Sequence, residues 1–271
     1  MLATLWLPTL AKAVSTALLV VCASALAEAL GPFWGALVAS LPVSAGPAYL
    51  FLAMQHDADF VAASALSSFA ANAATGTFLI VYAKLARKAP QWRGLGVAVA
   101  AWLAASLAIH HIIWTPGSAL LLNLAVYGAG FRLLRSLDKA KSKSPAIPRR
   151  KWFDLPLRAT AIAVFVSAVV LASSMLGAEA TGIAAVFPIS LTSLIIILRP
   201  RIGASASALL AATALRAMLG FGLMLLALHL AIRPWGTATA LLVALLVSLA
   251  WSAGLLVLRR RRNANPIPRA S

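Results

Sequence analysis

Long uncharged, apolar stretches alternate with short polar or basic segments along this chain. An α-helix crosses the hydrocarbon core of a bilayer with about 20 such residues. The stretches are continuously apolar and lack the period of two that a membrane β-barrel requires, so they predict transmembrane helices. Glycine and proline fall at their edges, as is typical of helix boundaries. The pattern predicts nine spans, at 8–28, 32–54, 60–85, 93–111, 116–136, 156–177, 180–198, 203–231 and 235–258.

The second half of the sequence repeats the first half. Segment 41–44 (Leu-Pro-Val-Ser) corresponds to segment 187–190 (Phe-Pro-Ile-Ser), and Gly76 corresponds to Gly220. Matched positions keep the same order along both halves, and the predicted span 116–136 has no counterpart. An odd number of spans between equivalent positions gives the two copies opposite orientations in the membrane. Inverted-topology repeats of this kind are typical of secondary transporters.

The repeat divides the chain into four parts. Residues 1–112 form the first repeat and residues 155–258 the second, with four predicted spans in each. Residues 113–154 hold the connecting span and a basic, proline-containing linker, and residues 259–271 form a basic tail. The predicted fold is therefore an all-α polytopic membrane protein with two inverted repeats, in which proline breaks the second and seventh spans.

Composition excludes a soluble globular domain. Hydrophobic residues make up 62% of the chain and charged residues 11%, with a mean hydropathy of +0.93, whereas soluble domains carry about 25% charged residues. The net charge of +17 would suit a nucleic-acid partner. However, the basic residues cluster between the predicted spans, as the positive-inside rule describes, and we predict no nucleic-acid binding.

The distribution of basic residues also predicts the orientation. With the C-terminus inside, most of the 23 lysines and arginines face the cytoplasm, and the N-terminus lies outside. We therefore expect an integral protein of a bacterial cytoplasmic (inner) membrane. Residues 13–27 end in Ala-Leu-Ala, which resembles a signal-peptide cleavage site. The equivalent part of the second copy is an internal span, so we expect a retained first helix.

The best-matched pieces of the repeat each carry a proline in mid-span. Pro42 and Pro188 remove a backbone hydrogen bond and clash with the preceding turn. The freed carbonyl groups need protein or water partners, and transporters often build substrate sites at such breaks. The alternative interpretation is that both prolines merely kink their helices. Hydroxyl groups beside the two breaks belong to Ser44, Ser190, Thr192 and Ser193.

Arg216 falls near the middle of the predicted span 203–231. A charge at that depth costs at least about 2.5–3.5 kcal/mol on insertion scales and marks a candidate functional site. The matching region of span 60–85 holds Asn72 and Thr75, which we expect to face Arg216 across the repeat. Two interpretations remain open: Arg216 binds an anionic group of the substrate, or it caps the carbonyl groups freed at Pro188.

Acidic residues and histidines give weaker signals. Glu28 and Glu179 lie at predicted membrane faces, where they are either proton carriers or ordinary helix-end charges. No acidic residue is predicted at the membrane centre, which argues against a cation site. The histidines share no diagnostic ligand spacing, so we predict no metal site. All four are predicted at the outer face: His56, His110, His111 and His229.

Three functions fit these features. The leading hypothesis is a secondary transporter that moves a small anionic or zwitterionic solute by alternating access. The alternatives are a lipid-linked or phospholipid flippase and a non-transporting membrane subunit or scaffold. The sequence contains no recognisable enzyme motif and implies no cofactor. The expected partners are the bilayer and a small-molecule or lipid substrate, and the oligomeric state stays open.

Overall fold

The computed structural model describes residues 45–135, 137 and 153–264. These residues form six helices and no strands, which confirms the predicted all-helical fold class. The first predicted span and most of the second lie outside the described residues. The helices are α1 (Ala45–Gln55), α2 (Ala58–Leu85), α3 (Gln91–His110), α4 (Pro116–Leu133), α5 (Asp154–Ala185) and α6 (Ile189–Ala264).

The number of separate helices differs from the prediction. From residue 154 onward, four predicted spans become two long helices, because α5 continues past residue 177 and α6 runs through the predicted boundaries near Pro200 and Pro234. The prediction of nine separate spans is therefore wrong as a description of this part of the chain. No connecting loops occur at those boundaries because single glycine residues redirect the chain there.

Three glycines bend α5 and α6. Gly177 (φ 75°, ψ 172°), Gly203 (φ 80°, ψ 172°) and Gly236 (φ 76°, ψ 170°) interrupt otherwise helical backbone. A positive φ with an extended ψ is essentially restricted to glycine, because any Cβ would clash with the main chain. The glycines divide α5 into α5a (154–176) and α5b (178–185). They divide α6 into α6a (189–202), α6b (204–235) and α6c (237–264).

Helix α2 lies at the centre of the bundle and packs against every other described helix. Its small residues allow close approach, as is common in membrane helix packing. Large buried side chains, including Phe69, Phe78 and Leu79, fill the remaining space around it. Helix α4 packs on the centre through one face, which consists of Ala119, Asn123, Tyr127 and Gly130.

Helices α2 and α6b are antiparallel along their length. Residue numbers fall along α6b as they rise along α2, and contacts extend from one end of the pair to the other. The pairs are Asp59 with Arg233, Ala62 with His229, Asn72 with Met218, and Tyr82 with Ser207.

Helix α6c folds back onto α6b after the turn at Gly236. The indole Nε1 of Trp251 donates a hydrogen bond to the main-chain oxygen of Arg216 at 3.0 Å. A Cβ atom at Gly220 would overlap the Trp251 ring, so only glycine permits this approach. The long helix α6 is therefore folded into a hairpin by one residue.

Among the described residues, three helical stretches are long and apolar enough to cross a membrane: Ala58–Leu85, Gln91–His110 and Pro156–Leu258. Large apolar side chains also cover much of the outer surface, among them Leu103, Leu107, Leu121, Leu124, Val164, Leu171 and Leu246. An outer surface of this kind is stable in lipid and unfavourable in water. The structure thus agrees with the predicted integral membrane protein.

Replacement of Gly182 by alanine is expected to destabilise the fold. An added Cβ would overlap the main-chain oxygen of Ser64, and two packed backbones cannot separate locally. We expect a loss of about 1–3 kcal/mol, the usual cost of overpacking, measured by thermal unfolding in detergent. Gly254→Ala is the matched control, since a Cβ there meets nothing within 4 Å. Equal melting temperatures for the two variants would contradict the observed packing.

Candidate functional site

A stripe of buried polar side chains runs along one face of α2. Ser64, Ser68, Asn72 and Thr75 are spaced by four, four and three residues, which places them on the same side of a helix. Their exposed fractions are 0%, 0%, 1% and 2%. Asn72 lies halfway along α2, so this polar stripe crosses the middle of a helix long enough to span a membrane.

The hydroxyl groups of the polar stripe bond to the backbone of the chain around α5b. Each hydroxyl donates to a main-chain oxygen. The residue numbers of the acceptors increase in the same order as those of the donors, so α5b runs parallel to α2. The bonds are Ser64 Oγ to Ala178 (2.8 Å), Ser68 Oγ to Gly182 (2.5 Å) and Thr75 Oγ1 to Val186 (3.1 Å).

The polar stripe ends at a break in the helical backbone. Helix α5 ends at Ala185 and α6 begins at Ile189, with Pro188 between them. The amide of Val186 bonds to the carbonyl of Ile183, so the carbonyl of Gly182 accepts from Ser68 instead. Carbonyl groups freed inside a membrane require such partners. Hydroxyl groups of α2 thus cap carbonyl groups at the Pro188 break.

Asn72 is the centre of a buried amide network. Its Nδ2 donates to Asn123 Oδ1 at 3.1 Å and to the Met218 carbonyl at 3.2 Å. Both neighbours are acceptors in this arrangement, which fixes the amide orientation. The Tyr127 hydroxyl donates to the main-chain oxygen of Asn72 at 3.1 Å. The Asn72 Oδ1 atom is buried and has no hydrogen-bond partner within the described part of the chain.

Sequence reasoning identified Asn72 but missed Asn123 and Tyr127. Both belong to α4, for which the sequence predicted no counterpart in the second half of the chain, and neither carries a charge. A signal was nevertheless present, because Ala119, Asn123, Tyr127 and Gly130 recur at helical spacing and form one small or polar face. That face is the one that packs against α2.

Aromatic rings cover the break. Phe187 stands edge-on to Trp102 with ring centroids 5.0 Å apart, and it lies 5.7 Å from Phe165. The Trp102 Nε1 donates to Thr75 Oγ1 at 3.3 Å, which joins this cover to the polar stripe. The backbone break is thereby enclosed by protein.

The predicted hydroxyls of α6a follow the break directly. Ser190 Oγ accepts a hydrogen bond from Arg158 Nη2 at 3.3 Å, and Ser193 Oγ donates to the Ser190 carbonyl at 3.0 Å. The Thr192 hydroxyl is buried and has no partner among the residues described. Of the three, Thr192 is therefore the hydroxyl left available to a ligand. The corresponding residues of the first copy, Pro42 and Ser44, lie outside the described residues.

Arg216 is half-buried in the middle of α6b. It does not share the face that contacts the polar stripe. That face contains Met218 and Gly222, where an added Cβ would lie 2.8 Å from Asn72 Nδ2. Successive residues turn by about 100°, so Arg216 projects roughly 140° away from that direction. Arg216 therefore lies on a different side of α6b from Gly222, whose small size allows the close contact with Asn72.

The remaining sequence candidates are separate from this site. Glu179 is exposed on α5b, and Glu28 lies outside the described residues, so proton coupling stays a prediction. His56 Nε2 is 2.7 Å from Ser173 Oγ, and His229 Nδ1 is 2.8 Å from the Ala62 carbonyl. Across 45–135 and 153–264, no three histidine, cysteine or acidic side chains converge as metal ligands would.

The fold and the site together define a class: an all-helical membrane protein in which a broken helix is bonded to the buried polar stripe of a central helix. No protein-family model, curated protein or solved structure matches this chain. The chemistry of the site is therefore inferred from its own geometry.

Thr75→Val is expected to weaken the contact between α2 and the break. Valine keeps the shape of threonine but leaves the Val186 carbonyl without its donor and Trp102 Nε1 without its acceptor. An unsatisfied buried group costs about 1–3 kcal/mol, which we expect as a lower unfolding midpoint. Thr213→Val is the control, because that exposed hydroxyl bonds only within its own helix, to Leu209. A similar midpoint for both variants would argue against a role for the polar stripe.

Proposed function

We propose that this protein is a secondary transporter that moves a small anionic or zwitterionic solute by alternating access. The observation that carries the proposal is the backbone break at 186–188, buried against the polar stripe near the middle of α2. Breaks of this type present helix ends and loose backbone groups to a solute inside the membrane. Asn72 Oδ1 and the Thr192 hydroxyl are buried polar atoms beside the break and are available for such contacts.

The antiparallel pairing of α2 and α6b supports the inverted repeat on which this proposal depends. These helices correspond to the matched segments 60–85 and 203–231. Two copies related by a two-fold axis in the membrane plane run antiparallel where they meet. The matched tryptophans support the same relation, because Trp102 donates to α2 and Trp251 donates to α6b. The predicted orientation, with the N-terminus outside, belongs to this proposal.

Two glycines suggest how the broken helix would move. Gly177 and Gly203 bound the segment 178–202, and both have backbone angles that permit abrupt changes of direction. Hinges are commonly a few such residues at the ends of a moving element. We infer that segment 178–202 rocks about these two positions and exposes the break to each side in turn. The bonds to the polar stripe are neutral and individually worth about 1 kcal/mol, so they can be exchanged.

Arg216 is our candidate for binding the negative group of the solute. A half-buried guanidinium in the middle of a long apolar helix marks a candidate functional site. It projects towards the side of α6b that carries α6c, away from the polar stripe, so a solute would contact it from that side.

A flippase is the second candidate, and one observation favours it. Thr213 lies three residues before Arg216, on nearly the same side of α6b, and it is exposed at the outer surface. Leu223, seven residues after Arg216, is 36% exposed. Arg216 thus borders a lipid-facing surface, where a phosphate head group could reach it.

Arg216→Ala is expected to reduce transport at least tenfold while the protein remains folded. Ligands are first found by thermal-shift screening of carboxylates, amino acids and phosphorylated solutes, and uptake is then measured in proteoliposomes. Arg233→Ala is the matched control, since that arginine has a 57% exposed side chain, and surface ion pairs such as its contact with Asp59 contribute little. Unchanged uptake in Arg216→Ala would overturn the anion role. The flippase would be favoured if the parent protein scrambles fluorescent lipids but takes up no solute, and if Arg216→Ala abolishes the scrambling.

A further inference from the structure

Arg199 is a buried cation at the basic end of the bundle, the end where α2 stops and α3 starts. Its exposed fraction is 8%. The Nη2 atom donates to the main-chain oxygens of Ala86 and Ala89, both at 2.7 Å. These bonds cap the last turn of α2 and hold the guanidinium in one position. Helix C-terminal carbonyls compensate a full positive charge only in part.

The second terminal nitrogen of the Arg199 guanidinium, Nη1, is buried and makes no hydrogen bond to the described residues. It lies 3.7 Å from the position that a Cβ atom would take at Gly94, the fourth residue of α3. The unused nitrogen is thus directed at the first turn of α3. A buried charged donor without a partner is expensive, which indicates that an additional ligand belongs there.

The first turn of α3 also needs an acceptor. The helix begins at Gln91, and Pro90 at the N-cap supplies no side-chain hydrogen bond. The amides of the first turn have no intrahelical acceptor, and they form the positive end of a helix of 20 residues. The Gln91 side chain is engaged elsewhere, since its Nε2 donates to the Ile196 carbonyl at 3.2 Å.

Two positive groups therefore face each other, and two carboxylates among the described residues are paired with other arginines. Asp154 forms a bidentate ion pair with Arg201, and Asp59 pairs with Arg233 at the far end of α2. An anion between Arg199 Nη1 and the α3 amides would satisfy both. Several oxygen atoms are required to reach both groups, which favours phosphate.

We propose that Arg199 and the first turn of α3 form a binding site for a phosphate group. Arg87, Lys88 and Arg93 are exposed around it and raise the local concentration of anions. Basic pockets between membrane helices at this depth bind anionic lipid head groups, and a free phosphate ion offers the same chemistry. The site lies apart from the polar stripe. Arg199 belongs to the segment 178–202 that is proposed to move, but phosphate binding is inferred from the contacts of Arg199 and α3 and does not require that motion.

The test measures the thermal stability of the full chain with defined phosphate sources. Detergent-solubilised protein is titrated with inorganic phosphate against sodium chloride of equal ionic strength. Nanodiscs of phosphatidylcholine are compared with nanodiscs that also contain phosphatidylglycerol. We expect stabilisation by at least one source and at least tenfold weaker binding in Arg199→Gln. Arg87→Gln, which removes an exposed cation from the same region, is expected to keep the response.

Gly94→Asp gives a second test that leaves Arg199 in place. Cβ contacts of 3.7–3.9 Å at Gly94 are ordinary, so an added Cβ atom is accommodated 3.7 Å from Arg199 Nη1, and we expect the carboxylate that it carries to pair with this nitrogen. We expect a higher melting temperature without ligand and no further response to phosphate. Gly94→Asn, of the same size and uncharged, is expected to lack this gain. If Arg199→Gln fails to fold, the phosphate response of Gly94→Asp tests the proposed site instead.

The possible outcomes distinguish a lipid phosphate from a soluble phosphate, and both from the absence of a phosphate site. A response to phosphatidylglycerol alone identifies a lipid head group, and a response to inorganic phosphate in detergent identifies a soluble anion. The proposal is overturned if the parent protein responds to neither. It is also overturned if Gly94→Asp responds as fully as the parent, since Arg199 would then serve only as a cap for α2.

Discussion

The rest of this structure depends on one constraint: backbone groups inside a membrane must find hydrogen-bond partners within the protein. The break between α5 and α6 frees carbonyl groups near the middle of the bundle. Ser68 and Thr75 on α2 supply the donors, and this requirement explains why α2 is central. The donors reach their acceptors because Gly182 lets α5b lie directly on the α2 backbone at Ser64.

Glycine residues determine where the long helices of the bundle turn. Gly177, Gly203 and Gly236 turn the chain without loops. Gly177 and Gly203 flank the segment that contains the break, and they are the hinges of the proposed motion. Small residues at the α2–α6b contact set the rotation of α6b, and that rotation directs Arg216 towards α6c.

The fold could be anticipated in outline because apolar length and helical propensity are local properties. The candidate site could be anticipated only in part. Asn72 and Thr75 stood out as polar residues in an apolar span, whereas Asn123 entered the site from the helix without a repeat partner. Arg199 resembled any other loop arginine in the sequence. Only its burial against the end of α2 distinguishes it from Arg87, and burial depends on contacts between distant segments.

By itself, the sequence determined that the chain is helical, that it belongs in a membrane, and where its backbone is weak, because these follow from apolar runs and from proline and glycine. Tertiary structure alone decided that glycine rather than proline turns the long helices, that hydroxyls of α2 cap the break, and that Arg216 faces away from Asn72. The physical reason is that these features depend on how close two helices can approach and how each is rotated. Both are set by side-chain volume at contacts between residues far apart in the chain.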